Sequence, residues 1–186
     1  MFLKTAQDSR YSIVFHMAIV TGMWQSELLG LRWKDVDLEK GHLTISQTLS
    51  HDGNTFLLGG KTKSSLRKIL LPTSIVAKLK KHRAIVLKEN LSRGEEYQDN
   101  NLVMCTPSGT PINPANVRRS LNALIKKATV PKICFHDLRH THATLLLAKD
   151  VNEKVISERL GHSNIKITLD TYSHVLPTSK KMQLTK

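Results

Sequence analysis

The stretch FHDLRHTHAT, residues 135–144, places three histidines, an arginine and an aspartate in the opening turns of a predicted helix. His136 and Arg139 are three positions apart, so on a helix they lie on one face, about a turn from each other. We expect this polar pair to point outward while Leu138 anchors the helix. The unpaired N–H groups at the helix start face the same way, which favours an anion such as phosphate. Arginine adds a planar fork that grips two phosphate oxygens.

The histidines of this stretch allow two other interpretations. His136 and His140 have the i, i+4 spacing of a metal-binding pair, and His142 lies nearby. However, no glutamate follows His136 as in zinc hydrolases, and Arg139 would place a positive charge beside the cation. A metal-dependent hydrolase is therefore the less favoured alternative, and no metal or cofactor is expected. Taken singly, His140 and His142 are expected to be helix-surface residues or hydrogen-bonded core residues.

Composition and charge restrict the class of protein. The chain has 186 residues, 40% of them hydrophobic, which is enough for one good core. Its net charge of +13, from 28 Lys and Arg against 15 Asp and Glu, indicates a polyanionic partner, with nucleic acid first. A merely basic protein and an anionic membrane surface are the alternatives, but no polybasic amphipathic helix with an aromatic face is present.

The two cysteines, Cys105 and Cys134, are too few and too far apart for a zinc site or a disulfide scaffold. No apolar run approaches the length of a membrane span, and no signal sequence is recognisable. These features predict a cytoplasmic protein without a membrane partner.

The hydrophobic pattern predicts helices, then short strands, then helices to the end. Between His42 and Leu71 the period shortens, and three antiparallel strands are predicted at 42–49, 54–58 and 66–72. A further short strand is expected at 102–106. Helices are predicted from a cap at Asp8 or Ser9 to Thr21, and over about 26–33, 73–89, 116–129, 136–149, 153–160 and 165–175. The fold class is α+β: a mostly α-helical domain with a small three-stranded antiparallel sheet.

The segment ERLGHSNIKITLDTYSHV, residues 158–175, supplies a second cluster of polar residues. His162 follows a Leu-Gly helix end, and Tyr172 comes ten residues later on the last helix. Together with HDLR at 136–139, this order and spacing resembles the tyrosine recombinases, or phage-type integrases. Their catalytic domains carry a His-x-x-Arg pair, then Leu-Gly-His, then a tyrosine nucleophile. Upstream, TGMWQSELLGLRWKDVD (21–37) resembles the first box of the family, and GGKTKSSLRKILLP (59–72) resembles its lysine-bearing hairpin.

The resemblance implies a chemistry. Tyr172 would attack a DNA phosphodiester, forming a 3′-phosphotyrosyl bond and freeing a 5′-hydroxyl without metal or ATP. Arg139 would clamp the nonbridging oxygens, and His136 and His162 would hydrogen-bond the same phosphate. Fixed donors of this kind stabilise the charge of a phosphoryl-transfer transition state. His136 is also a proton shuttle in this interpretation, because imidazole titrates near neutral pH.

A lysine of the hairpin would protonate the departing 5′-oxygen. Lys61 is preferred because of its Lys-Thr context, and Lys63 is the alternative. Whichever is not catalytic is expected to be an exposed turn lysine that touches the DNA backbone. Tyr172 also has a purely structural alternative, because a tyrosine on an amphipathic helix is often a half-buried packing residue.

One position departs from the family pattern. Trp24 stands where the first box normally has an arginine that completes the phosphate clamp, although Glu27 and Leu28 fit the pattern. Arg32 is eight residues further on and is a poor replacement. Losing one such donor typically costs about 3 kcal/mol, a hundredfold or more in rate. The chain is therefore expected to bind DNA but to cleave it slowly or not at all, and a catalytically inactive DNA-binding relative is the alternative.

The chain is also short for the family. It is predicted to be one catalytic domain, residues 1–186, without the core-binding and arm-binding domains that usually precede it. The expected partner is double-stranded DNA, bound weakly and salt-sensitively through phosphates. A free monomer is expected, with a synaptic tetramer on DNA when full-length. The tail LPTSKKMQLTK (176–186) packs on its own protomer or reaches a neighbour. The chain is predicted to come from an integrase of a mobile element. Its predicted location is the bacterial cytoplasm, in association with the nucleoid.

Overall fold

A computed structural model describes residues 2–59 and 66–172. The hairpin lysines Lys61 and Lys63 and the tail from residue 173 onward lie outside the described residues. In the parts that are described, the helices are too short or too polar to cross a membrane. The helices are α1 (Phe2–Thr5), α2 (Ser12–Thr21), α3 (Gln25–Gly30), α4 (Thr73–Arg93), α5 (Pro114–Ala128), α6 (Phe135–Leu147), α7 (Glu153–Leu160) and α8 (Ile165–Tyr172). The strands are β1 (Val36–Asp37), β2 (His42–Thr44), β3 (Gln47–Leu49), β4 (Phe56–Leu58) and β5 (Lys68–Leu70).

The predicted three-stranded antiparallel sheet is present, but one of its strands differs. Its order is β1-β2-β5, with Leu43 opposite both Val36 and Ile69. The predicted strand at 42–49 divides after β2, and its second half, β3, pairs with β4 in a separate two-stranded ribbon.

The division follows from the contact between β3 and α3. The Gln47 side chain donates a hydrogen bond of 2.8 Å to the Gly30 carbonyl at the end of α3. A Cβ on Gly30 would lie 2.8 Å from the Leu49 nitrogen, so the two backbones touch. This contact draws β3 away from β2, and the short β1 fills the place predicted for 54–58.

The main core is built around α2, whose residues are apolar on nearly all sides, as expected of a central helix. Phe15 is fully buried, and its ring centroid lies 5.5 Å from that of Phe2 and 6.3 Å from that of Phe135. Phe135 is the first residue of α6. The core contact therefore fixes the start of the helix that carries the histidine cluster.

A second, smaller core joins the last three helices. Ala143 and Leu147 of α6, Ile156 and Leu160 of α7, and Tyr172 of α8 are all buried in it. This cluster is separate from the main core, and α7 is joined to the rest of the domain both by α6 and by Arg159, which donates hydrogen bonds to the Val20 and Leu70 carbonyls.

Several predicted boundaries shift. α7 has the predicted bounds, 153–160, whereas α4 continues to Arg93 and ends at Gly94, whose positive φ of 54° suits glycine. The predicted strand at 102–106 was wrong: two isolated bridges, Arg32 with Leu102 and Cys105 with Pro111, are found instead.

Candidate active site

The start of α6 is stabilised by its own side chains. The Asp137 carboxylate, at the N3 position, accepts the Cys134 backbone N–H at 2.7 Å, as in a capping box. This bond lowers the pKa of Asp137, which is therefore a carboxylate at neutral pH. Asp137 therefore caps the N-terminus of α6 and stabilises the turn that presents the polar residues after it.

Arg139 does not point outward, so that prediction was wrong. Its side chain is 2% exposed and donates hydrogen bonds to the Gly22 carbonyl at 2.6 Å and the Leu160 carbonyl at 2.8 Å. Both carbonyls lie at helix ends, where backbone oxygens have no partner within the helix. Burial lowers the pKa of Arg139 to about 10, and the nearby charge of Arg67 acts in the same direction. The guanidinium remains charged at neutral pH.

Trp24 covers this guanidinium. Its indole ring lies 4.6 Å from the Arg139 Cζ and stacks on the His136 ring at 4.5 Å, with an angle of 18° between the planes. The tryptophan is 45% exposed, whereas the arginine beneath it is buried. Trp24, His136 and Arg139 line a small cavity of about 180 Å³ that Ser50 and His51 also border. The cation–π contact thus occupies one face of the guanidinium.

Gly22 allows α2 and α6 to approach this closely. It ends α2 with a φ of 67°, and an added Cβ would lie 2.7 Å from both the His142 ring and the Leu160 side chain. Glycine is therefore required both for the left-handed backbone and for the space.

Glu27 is the buried counter-charge of the site. The residue is 4% exposed, and its carboxylate accepts hydrogen bonds from the two terminal nitrogens of Arg67 at 2.7 and 2.9 Å. It also accepts the Trp24 backbone N–H at 2.9 Å. Its negative charge acts on Arg139 against the pKa-lowering effect of burial. Glu27 thus joins the first box to the segment that leads into β5.

His140 forms the direct contact with Tyr172, although the sequence predicted no part for it in the reaction of the tyrosine. Its Nδ1 lies 2.9 Å from the Tyr172 hydroxyl, and its ring meets the His136 ring edge-on at 4.4 Å. The sequence did indicate that His140 lies near His136, because residues four positions apart share a helix face. Burial lowers the pKa of His136, and the charges of His140 and Arg139 add to this effect.

Tyr172 is 3% exposed, and its ring packs in the second core. Its hydroxyl, however, points to the histidine cluster through His140. Burial raises the pKa of the phenol, while the positive charge of Arg139 opposes this shift. The Tyr172 ring is thus a packing group, as in the purely structural interpretation of this residue, while its hydroxyl lies in the polar cluster.

His162 is presented by the glycine turn that ends α7. Gly161 has a φ of 74°, and the His162 Nδ1 then lies 2.7 Å from the Thr168 hydroxyl. Burial lowers the pKa of His162 to about 4, and the charges of Arg139 and Arg67 contribute. His162 is therefore neutral at physiological pH.

His142 is a hydrogen-bonded core residue, as expected. Its Nδ1 lies 2.9 Å from the Ile19 carbonyl, and its Nε2 accepts the Arg159 Nε–H at 3.1 Å. Since both ring nitrogens face protein groups, His142 does not converge with His136 and His140. Within residues 2–59 and 66–172, no group of three His, Cys, Asp or Glu side chains is arranged to hold a metal ion.

Arg32 is held elsewhere. It forms an ion pair of 2.7 Å with Asp35 and a hydrogen bond of 2.8 Å to Ser46. It therefore does not occupy the place that Trp24 has beside Arg139.

Comparison with known proteins identifies the family. Residues 1–179 match the model of the phage integrase family. This chain belongs to the phage integrase family. Among curated relatives, it is 37% identical to a tyrosine recombinase XerC-like protein of Caldanaerobacter subterraneus subsp. tengcongensis, over 95% of this chain and 49% of that protein. It is 31% identical to the integrase of Staphylococcus phage L54a, over 84% of this chain and 45% of that protein.

Solved structures of an integrase and of a recombinase have the same fold. The integrase of transposon Tn1549, in complex with transposon right end DNA, superposes with a TM-score of 0.78 at 25% identity, covering 99% of this chain and 61% of that one. XerA recombinase superposes with a TM-score of 0.75 at 23% identity, covering 98% of this chain and 60% of that one. This chain spans about half the length of the curated relatives described above.

Proposed function

We propose that this chain is the catalytic domain of an integrase that cleaves and rejoins DNA through a 3′-phosphotyrosyl intermediate on Tyr172. The observation that carries the proposal is the position of the Tyr172 hydroxyl, 2.9 Å from the Nδ1 of His140, whose ring in turn meets the His136 ring edge-on at 4.4 Å. The charge of the buried Arg139 also acts on this phenol. A nucleophile, imidazoles and a fixed cation at one place are what phosphoryl transfer to tyrosine requires.

The donors would act on the phosphate that Tyr172 attacks. Arg139 uses two nitrogens to bind backbone carbonyls, and a guanidinium carries five N–H groups, so donors remain for nonbridging oxygens. His136 and His162 would hydrogen-bond the same phosphate as neutral imidazoles. Lys61, with Lys63 as the alternative, would protonate the leaving 5′-oxygen from the hairpin.

Trp24 is proposed to slow the reaction. It supplies no charge at the position of the family's first arginine, and its indole covers one face of Arg139 at 4.6 Å. Both effects weaken the stabilisation of a phosphorane-like transition state. A catalytically inactive DNA-binding relative is the second candidate, and the Trp24 position is the observation that favours it.

The proposed partner is double-stranded DNA. The net charge of +13 supports this, and so does the solved structure of the Tn1549 integrase, which has the same fold and was determined in complex with transposon right end DNA. The chain is proposed to act as one catalytic domain over residues 1–186, monomeric when free. In the full-length protein it would assemble as a synaptic tetramer on DNA. We place it with a mobile element in the bacterial cytoplasm, at the nucleoid.

A covalent trap tests this function. The substrate is a pool of duplexes with randomised sequence, each nicked close to the phosphate to be cleaved. After cleavage the short fragment with the 5′-hydroxyl dissociates, and this prevents rejoining. The proposal predicts a protein–DNA adduct that survives detergent, forms in the presence of chelator and is absent for Tyr172→Phe. DNA that is shifted in a gel but never linked would support the inactive DNA-binding relative. Adduct formation that the chelator abolishes would contradict the metal-free mechanism.

A further inference from the structure

We propose that His140 accepts the phenolic proton of Tyr172 when the tyrosine attacks the phosphorus. This inference rests on the proposed function and adds to it a residue that neither the family boxes nor the sequence reasoning assigned to the reaction. It also transfers the role of proton acceptor from His136 to its neighbour one helical turn later.

The geometry distinguishes the three imidazoles. The His140 Nδ1 lies 2.9 Å from the Tyr172 oxygen, and the two rings meet edge-on with centroids 5.6 Å apart. The Nδ1 of His162 faces the Thr168 hydroxyl at 2.7 Å instead. The His136 ring stacks on the Trp24 ring at 4.5 Å and meets the His140 ring edge-on at 4.4 Å. His140 is thus already at the distance from which a proton moves directly between oxygen and nitrogen.

The position of His140 is fixed from both sides. It shares a helix with Arg139, whose two carbonyl bonds fix that turn of α6, and it is partly buried. Tyr172 is held by the second core, in which Ala143 and Leu147 of the same helix are buried. Acceptor and nucleophile are therefore presented by packed elements, so little reorganisation separates the resting contact from the reactive one.

The proposed step transfers the DNA phosphate from the 5′-oxygen to Tyr172. The Tyr172 oxygen forms a bond to phosphorus, the bond between phosphorus and the 5′-oxygen breaks, and the phenolic proton moves to the His140 Nδ1. The leaving 5′-oxygen takes its proton from the hairpin lysine. Rejoining reverses each transfer. An acceptor is needed because a phenol ordinarily ionises near pH 10, and burial raises the pKa of Tyr172 further.

The first variant separates proton transfer from orientation. In His140→Asn the side-chain amide can still accept the Tyr172 hydrogen bond near the Nδ1 position, but it cannot take the proton at neutral pH. We expect adduct formation in a single turnover to slow by about 10²- to 10⁴-fold, the usual contribution of a positioned base. The control, Thr141→Ala, removes an exposed hydroxyl that bonds the Asp137 carbonyl on the same helix, and it should stay within about twofold of wild type.

The second measurement restores the lost function chemically. The chain has three tyrosines, so Tyr11→Phe and Tyr97→Phe leave Tyr172 as the one site for fluorotyrosine, whose phenol is more acidic. Fluorotyrosine should recover at least about tenfold of the rate in His140→Asn and little in wild type, because an acidic phenol depends less on its base. No recovery would overturn the assignment, since a defect of folding or orientation is not corrected by acidity.

A third experiment uses a modified substrate to distinguish proton transfer from Tyr172 from proton transfer to the leaving 5′-oxygen. A bridging 5′-phosphorothiolate leaves as a thiolate, which needs no proton, so it should rescue a hairpin-lysine variant but not His140→Asn. Rescue of His140→Asn by this substrate would overturn the assignment. A Tyr172-dependent adduct that forms at the wild-type rate in His140→Asn would overturn the role of His140 alone. A wild-type adduct that persists in Tyr172→Phe would overturn the proposed function as well.

Discussion

The buried ion pair between Glu27 and Arg67 offers a direct test of how this site is held together. Its two side chains are 5% and 8% exposed, and the carboxylate binds both terminal nitrogens of the guanidinium. Glu27→Gln keeps the size of the side chain and removes its charge. Arg67 and the adjacent Arg139 would then share a buried region without that carboxylate.

Breaking a buried pair by neutralising one partner typically costs about 3 to 5 kcal/mol, because the remaining charge stays desolvated. Glu27 also accepts the Trp24 backbone N–H, and a glutamine oxygen can keep that bond. We therefore expect Glu27→Gln to lower the free energy of unfolding by about 3 kcal/mol at pH 7, measured by urea denaturation followed by circular dichroism.

The chain contains a matched control. Arg10 and Glu89 form the same two-bond arrangement, at 2.6 and 3.0 Å, but their side chains are 31% and 22% exposed. Exposed pairs contribute about 0.2 to 1 kcal/mol, so Glu89→Gln should change stability little. Equal losses for Glu27→Gln and Glu89→Gln, or a stabilised Glu27→Gln, would refute the reasoning that burial decides the strength of these pairs.

Three further predictions concern the same region. Gly22→Ala should destabilise the chain by about 3 kcal/mol in urea denaturation, because a Cβ meets two side chains at 2.7 Å on a left-handed backbone; an unchanged midpoint would contradict the packing. The pKa of His142 is about 4 in the folded chain against an ordinary 6.5, so the folded state disfavours protonation. The contribution of His142 to stability should be full above about pH 6.5 and fall by about 2 kcal/mol between pH 7 and pH 5. His142→Gln should remove that part of the pH dependence in thermal melts, while the part due to His162, whose pKa is also about 4, remains. Trp24→Arg should raise the rate of covalent adduct formation about a hundredfold, whereas an unchanged rate would show that tryptophan is not what limits cleavage.

The family motifs could be recognised in the sequence because each combines characteristic residue types at a fixed spacing. The α+β fold, the exact bounds of α7 and the glycine turn before His162 follow from local patterns of this kind. The β1 strand was missed because two residues carry no periodicity. The division of the predicted strand at 42–49 depends on a contact with α3 that no local pattern reports.

The burial of Arg139 could not be predicted from α6 alone. Its side chain enters the interior because the ends of α2 and α7 meet there and present the carbonyls of Gly22 and Leu160. That convergence is a property of the tertiary structure. The contact of His140 with Tyr172 likewise depends on how α8 packs, although its spacing from His136 indicated a shared helix face.

The most direct test of the central proposal is the chemical identity of the linked residue. Adduct trapped on the nicked duplex pool is digested with nuclease and protease, and the peptide carrying a nucleotide is sequenced by mass spectrometry. The account predicts a 3′-phosphate joined to the Tyr172 oxygen, in wild type and in greater yield in Trp24→Arg. A nucleotide joined to any other residue, or an adduct that forms in Tyr172→Phe, would contradict it.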